Sequence, residues 1–425
     1  MFLIYDLPMI CAPLYPTKFF PFVEQEMEKL FPVSKDRQFI LSLYAQVLIA
    51  DKYPSMSRTA QVSNGLFNDK NIRQALKDLQ FCKEIIDNER TKLFKTFDKR
   101  KNVYLGGDDT TVSKTGKSIA FTQKLFDHSS GSYVNGWLIF DTSIKHDERI
   151  YGASFMIKPP QVKEKYFKKK TNTNDQTRDK ISTILVETMF TELILELLYV
   201  GFSKDHIIVL VDRWYPSEHF FTFLRKVGVN FVVAIKKNSQ VILPDKAKYI
   251  RSLSKRRGKK PVHFSRELSV EKYFNKYGKS HWLTFSGKSE PCETKSATLN
   301  LNLANQVKVF AVIFPGQTTW RYFVAPKTYS SVFQMHQHYS KRWAVETVHQ
   351  VLKDILGLEG GKMRLEPLVK GHIFLVYLIH FYFLKYQRYL ETEYGITITP
   401  RRFLIMLEQL FLLLQIHWKP NFKQN

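Results

Sequence analysis

Cysteine is scarce: Cys11, Cys82 and Cys292 are the only three in 425 residues, far apart and in no CxxC or zinc-ligand spacing. That excludes a disulfide framework and a cysteine metal site, and it points to a reducing compartment. Acidic residues are also few, 39 Asp+Glu against 64 Lys+Arg, for a formal net charge of +25. A folded chain with that surplus calls for a polyanionic partner. Nucleic acid comes first, because each phosphate neutralised releases counterions. Glycine and proline, 18 and 17, are not enriched, and hydrophobic and aromatic contents of 44% and 14% exclude a mainly disordered or low-complexity chain. Long apolar runs are missing as well. Ile373–Leu384 and Phe403–Trp418 are shorter than the ~20 residues of a membrane span and contain polar residues, so both read as core helices. The N-terminal MFLIYDLPMICAP has no basic residue before its apolar stretch, which Asp6 and Pro8 interrupt, so a signal peptide is not expected. The expectation is a soluble, intracellular protein of two or three domains.

Residues 1–100 read as a helical, DNA-binding domain. Phe22–Phe31 and Arg37–Ala50 carry apolar residues at three-to-four spacing, and Asn71–Phe81 follows a turn signal at Gly65, Asn68 and Asp69. Helix, turn, and a helix with Arg73 and Lys77 exposed is compatible with a helix-turn-helix DNA reader. From residue 101 to about 365 the pattern is α/β with a mixed sheet. Asn102–Leu105, Ile119–Phe126, Trp137–Thr142 and Ile150–Ile157 are strand candidates, and a long helix runs from about Thr177 to Val200. Ile207–Val211 is a continuous apolar run, as in a strand buried on both faces. Glu218–Val227 is helical and Phe231–Ile235 a strand. A polar, basic, mostly β insertion occupies about 236–320. One long helix then spans Ser331–Leu356, ended by Gly357 and Gly360-Gly361. Residues 366–425 form a C-terminal helical region with a possible role in dimerisation.

Two carboxylates stand out. Asp109 and Asp212 each follow an apolar strand segment, where ligands gather in an open α/β sheet. Carboxylate oxygens are the hard donors that Mg²⁺ prefers, although Asp after a strand is more often a turn or cap residue. On the late helix, spacings of 3, 4 and 7 put Tyr339, Arg342, Glu346 and Lys353 on one face, an anion-binding surface with one acid in it. Taken alone, Arg342 and Glu346 would be an ordinary i,i+4 ion pair.

Asp109-Thr110-Thr111, Asp212-Arg213 and the Y-(2)-R-(3)-E-(6)-K spacing of Tyr339, Arg342, Glu346 and Lys353 resemble the DDE transposases of the insertion-sequence-4 group, over about residues 100–365. The resemblance implies a ribonuclease-H-like core in which Asp109, Asp212 and Glu346 are the catalytic triad and hold two Mg²⁺ ions, with Mn²⁺ a possible substitute. Its substrates would be double-stranded DNA, as transposon terminal inverted repeats and target, cleaved and joined by cut-and-paste, with hairpin ends implied. Successive strand residues point oppositely, so only one of Asp108 and Asp109 should face the metal; the family's Asp-Thr pattern selects Asp109. Tyr339, Arg342 and Lys353 would contact phosphates. Trp320 would stack on a flipped base or else pack in the core, with Trp282 a weaker candidate. Trp343 is expected in the core, and His349 to pack beside the site. The basic stretch containing Lys255, Arg256 and Arg257 would meet the DNA backbone. The resemblance also implies a homodimer in a synaptic complex and a cytoplasmic, nucleoid-associated setting in a bacterium or archaeon. Two other readings are a domesticated DNA-binding protein without cleavage activity and a ribonuclease-H-like nuclease.

Overall fold

The computed structural model describes residues 14–29, 33–50, 55–63, 65–79, 83–116, 118–127, 130–158, 176–244, 265–285, 290–360 and 363–395. The basic stretches at 163–173 and 255–260, including Lys255, Arg256 and Arg257, lie outside them, as does the apolar run Phe403–Trp418.

Five helices open the chain: α1 (Leu14–Met27), α2 (Lys35–Ala50), α3 (Met56–Val62), α4 (Asp69–Leu79) and α5 (Lys83–Lys95). In α4 the residues at three-to-four spacing, Ile72, Ala75, Leu76 and Leu79, are buried, while Arg73 stays exposed. Their partner is α11 (Glu366–Tyr394), the C-terminal helix, which also contacts α1 and α2. Phe19 of α1 meets Phe383 and Tyr386 of α11 at ring separations of 6.2 and 5.4 Å. By length and composition α11 could cross a membrane, but 83% of its most apolar window is buried inside the protein. The described part of the C-terminal region thus has its apolar face covered by the chain's own N-terminal helices.

Between these helices lies the α/β unit. Its strands are β1 (Val103–Ser113), β2 (Gln123–Asp127), β3 (Ser132–His146), β4 (Arg149–Ile157), β5 (Ile207–Val211) and β6 (Asn230–Ile235), with α6 (Gln176–Tyr199) between β4 and β5 and α7 (Glu218–Val227) between β5 and β6. β3 runs antiparallel to β1 and to β4, whereas β5 pairs parallel with β1 and β6 with β5. The order β4-β3-β1-β5-β6 is a ribonuclease-H-like mixed sheet. β5 is buried at every position because helices cover both of its faces. Ser217 caps the start of α7, and Gly228 ends it in the left-handed conformation at φ 78°.

Within 236–320 the described residues form β7 (Gln240–Pro244), β8 (Ser265–Ser269), α8 (Val270–Tyr277), β9 (His281–Leu283), β10 (Cys292–Leu299) and β11 (Val307–Ile313). β7 and β8 make a separate hairpin. β9, β10 and β11 instead join β12 (Arg321–Pro326), which pairs with β6, and extend the core sheet to ten strands. The segment expected to be one helix over Ser331–Leu356 is divided into α9 (Val332–Tyr339), a 3₁₀ turn at Ser340–Arg342, α10 (Trp343–Gln350) and a π turn at Val351–Ile355.

Candidate active site

The first strand does not stop at Gly106-Gly107. It continues through Asp108 and Asp109 to Ser113, held throughout by β3. The two acids therefore lie inside a strand, and the pleat sends them to opposite faces. The glycines before them mark the faces. A Cβ on Gly106 would stand 2.7 Å from Ser143 Oγ and 3.5 Å from Val345 of α10, whereas one on Gly107 would stand 2.7 Å from the Phe190 ring of α6. A side chain at 107 would press on α6, and one at 106 on Ser143 of the neighbouring strand β3.

Asp108 shares the Gly106 face, and its Oδ2 accepts from Arg342 Nη1 at 3.2 Å. The other terminal nitrogen of Arg342 donates to Glu346, so one guanidinium joins strand acid and helix acid. Asp212, just past β5, lies close enough for its charge to act on both Arg342 and Tyr339. Asp109 alternates to the other side of the strand, and the Tyr215 hydroxyl donates to its Oδ1 at 2.7 Å while also standing 3.5 Å from Asp108 Oδ1; the Tyr215 ring packs on Phe140. The sequence pattern has Asp109 join Asp212 and Glu346; here it is Asp108 that meets Arg342 and, through it, Glu346. Strand alternation and the position of α10 put Asp108 on the face that Arg342 reaches.

The remaining candidates are placed as follows. Tyr339 is half-buried, edge-on to Phe323 at 4.7 Å, with Arg342 6.0 Å from its ring centre; burial raises its hydroxyl pKa. Lys353 sits in the π turn, where regular-helix spacing no longer holds, and its Nζ donates to the Thr111 carbonyl at 2.7 Å. Trp320 is half-buried with Lys295 Nζ 4.7 Å from its ring, and Trp282 is exposed on the edge strand β9. Trp343, expected in the core, is 65% exposed. Trp214, not singled out in the sequence, is also exposed, with Lys236 4.6 Å and Arg213 5.5 Å from its ring.

Asp108 has a pKa raised to about 6, first by burial and then by the neighbouring Asp109 charge, which outweigh the Asp109 amide bond and Arg342. Among the described residues no three acid, histidine or cysteine groups already form a metal cage. Arg342 stands instead as the cation between Asp108 and Glu346. When ionised, Asp108, Asp212 and Glu346 outnumber that one positive charge, and all three offer the hard oxygens that Mg²⁺ or Mn²⁺ takes. The donor set fits a divalent ion once Arg342 moves aside. A cation using Asp108 must displace its proton, so Mn²⁺ affinity is expected to fall by about tenfold per pH unit below pH 6. Titrations between pH 5 and 7 check this; a flat profile would exclude Asp108 as a ligand.

Sequence reasoning passed over Asp141 and Tyr377, which meet beside this cluster. The signal for Asp141 was present: a lone acid inside the apolar strand WLIFDTSI.

Residues 153–382 match the family profile described as the transposase DDE domain. No curated protein matches the chain. Among solved structures it is similar to the piggyBac transposase synaptic complex with hairpin DNA, determined by electron cryo-microscopy. The identity is 12% and the TM-score 0.45, over 98% of this chain and 84% of that one, a likeness too loose to carry an argument.

Proposed function

The chain belongs to the transposase DDE-domain family, and on that premise we propose that it cleaves DNA at the ends of a mobile element and joins them to a target by metal-dependent phosphoryl transfer. The observation that supports this most is the single guanidinium shared by Asp108 and Glu346 with Asp212 beside it. In this reading Asp108, Asp212 and Glu346 hold Mg²⁺, and Asp108 takes the place that the sequence pattern suggested for Asp109. Two such ions, when bound, activate a water or 3′-hydroxyl and stabilise the leaving oxygen.

The chain's own groups position the DNA. Arg342, released from the acids, can fork a phosphate beside the scissile bond, and Tyr339 flanks it. Little covalent work falls to protein side chains, so placement and charge neutralisation dominate. Hairpin formation at the cut ends belongs to the same proposal. Trp320, half-buried, is a stacking candidate for it, and Trp214 offers an exposed ring. Cutting two ends in concert needs two protomers, so the working species is a homodimer on DNA. The formal charge of +25 supports backbone binding that weakens steeply with salt.

The test is cleavage of an end-labelled duplex carrying the DNA that flanks the gene. Strand scission is expected with Mg²⁺ or Mn²⁺ and none in EDTA, with binding retained in both, and a hairpin would show on a denaturing gel. Tight binding without cleavage under either metal would favour the non-cleaving DNA-binding protein. Preference for an RNA·DNA hybrid would favour a ribonuclease-H-like nuclease.

A further inference from the structure

We propose that Asp141 is a positioning residue for the metal-binding carboxylates: through His349 it clamps the helix carrying Glu346 to the strands carrying Asp108. The inference rests on the metal-dependent reading above.

Asp141 is completely buried in the middle of β3. A carboxylate taken out of water costs several kcal/mol unless charge and hydrogen bonds compensate, so its presence there needs a reason. Both oxygens are engaged. One accepts from His349 Nε2 and the other from the Tyr377 hydroxyl at 2.8 Å. His349 lies on α10 and Tyr377 on α11, where its ring stacks on Phe155 of β4 at 4.4 Å. One buried acid therefore ties together a strand and two helices. Asp141 holds the His349 pKa above its ordinary value despite the opposing effect of burial.

The register gives the tie its purpose. Asp141 is the direct partner of Asp108 across the β1–β3 ladder, so both side chains rise from the same face as near neighbours. Each meets a side chain from the same helical segment: Asp108 meets Arg342, and Asp141 meets His349. Glu346 lies between them, four residues after Arg342 and three before His349, on the same face of the segment. The helix is thus clamped on both sides of Glu346. When a divalent ion takes Asp108 and Glu346, Arg342 loses both partners. The Asp141–His349 clamp, capped by Tyr377, then holds Glu346 at its place over Asp108.

The test is Mn²⁺ binding to the full chain without DNA, followed by electron paramagnetic resonance, with the melting temperature of each metal-free variant recorded. Asp141→Asn and His349→Ala are expected to bind Mn²⁺ about ten- to a hundredfold more weakly, the usual effect of losing a group that orients a ligand. His349→Gln, whose amide can still donate to Asp141, should recover most of that loss. Tyr377→Phe removes one donor, should lose about threefold or more by the same logic, and serves if Asp141→Asn does not fold. Variants that melt earlier yet bind Mn²⁺ as wild type does would overturn the proposal and leave a merely structural network. A wild-type chain that binds no Mn²⁺ would overturn the metal-dependent reading itself.

Discussion

Asp108→Asn is expected to reduce metal-dependent DNA cleavage by on the order of a thousandfold or more, since a ligand whose loss costs several kcal/mol of transition-state stabilisation acts on that scale. Asp109→Asn should leave the rate within about tenfold, because its carboxylate is held by the Tyr215 hydroxyl at 2.7 Å while Arg342 bonds Asp108 and Glu346. Glu346→Gln should behave like Asp108→Asn, since the two acids share Arg342. Single-turnover cleavage of an end-labelled duplex, with DNA affinity measured alongside, separates lost chemistry from lost binding. Stability gives an independent reading. A carboxyl whose folded pKa is raised to about 6 binds its proton more tightly in the native state than in the unfolded one. Its contribution favours folding below the unfolded carboxylate range and is lost as pH rises through 6. At neutral pH the metal-free Asp108→Asn protein should therefore melt no earlier than wild type, even as activity disappears. Cleavage surviving Asp108→Asn and abolished by Asp109→Asn would restore the reading taken from the Asp-Thr-Thr motif alone.

That contrast shows what the sequence could carry. Ile207–Val211 was legible because a strand covered on both faces needs an unbroken apolar run, and Asp212 at its end followed directly. Glu218–Val227 was legible because Ser217 and Gly228 punctuate it. The Arg342–Glu346 pair was legible from helical spacing, since the segment from the 3₁₀ turn into α10 keeps one face over four residues. The bond from Lys353 to the Thr111 carbonyl was not legible, because the π turn at Val351–Ile355 departs from the 3.6-residue period on which spacing depends. The side on which each of Asp108 and Asp109 lies depends on contacts distant in sequence: β3 extends β1 past the glycines, and Val345 and Phe190 approach from opposite sides. Asp141 was visible as an acid in an apolar strand, but its pairing with Asp108 exists only in the antiparallel register.

The helical layer against the sheet depends on one small residue. Gly371 in α11 faces α4 so closely that a Cβ would stand 2.0 Å from the Leu76 carbonyl oxygen, a backbone atom with no rotamer to yield. Gly371→Ala would raise helix propensity in isolation. In this contact it must push α4 and α11 apart, and with them the buried face of Ile72, Ala75, Leu76 and Leu79 against Leu368 and Leu375. Overpacking a well-filled contact costs about 1–3 kcal/mol. Because backbone is the obstacle, the upper end of that range or more is expected, which lowers the melting temperature by several degrees at about 2 °C or more per kcal/mol. The loss should be local. Helices α1 to α4 should become sensitive to limited proteolysis while the sheet built on β5, which has its own core under α6 and α7 and includes Phe94 of α5, stays protected. Since α4 carries exposed Arg73 on the helix expected to meet DNA, DNA affinity should fall together with protection of this layer. A melting temperature within about one degree of wild type would mean that α4 and α11 can part without cost, and the close approach at Gly371 would then contribute little to holding the helical layer on the catalytic sheet.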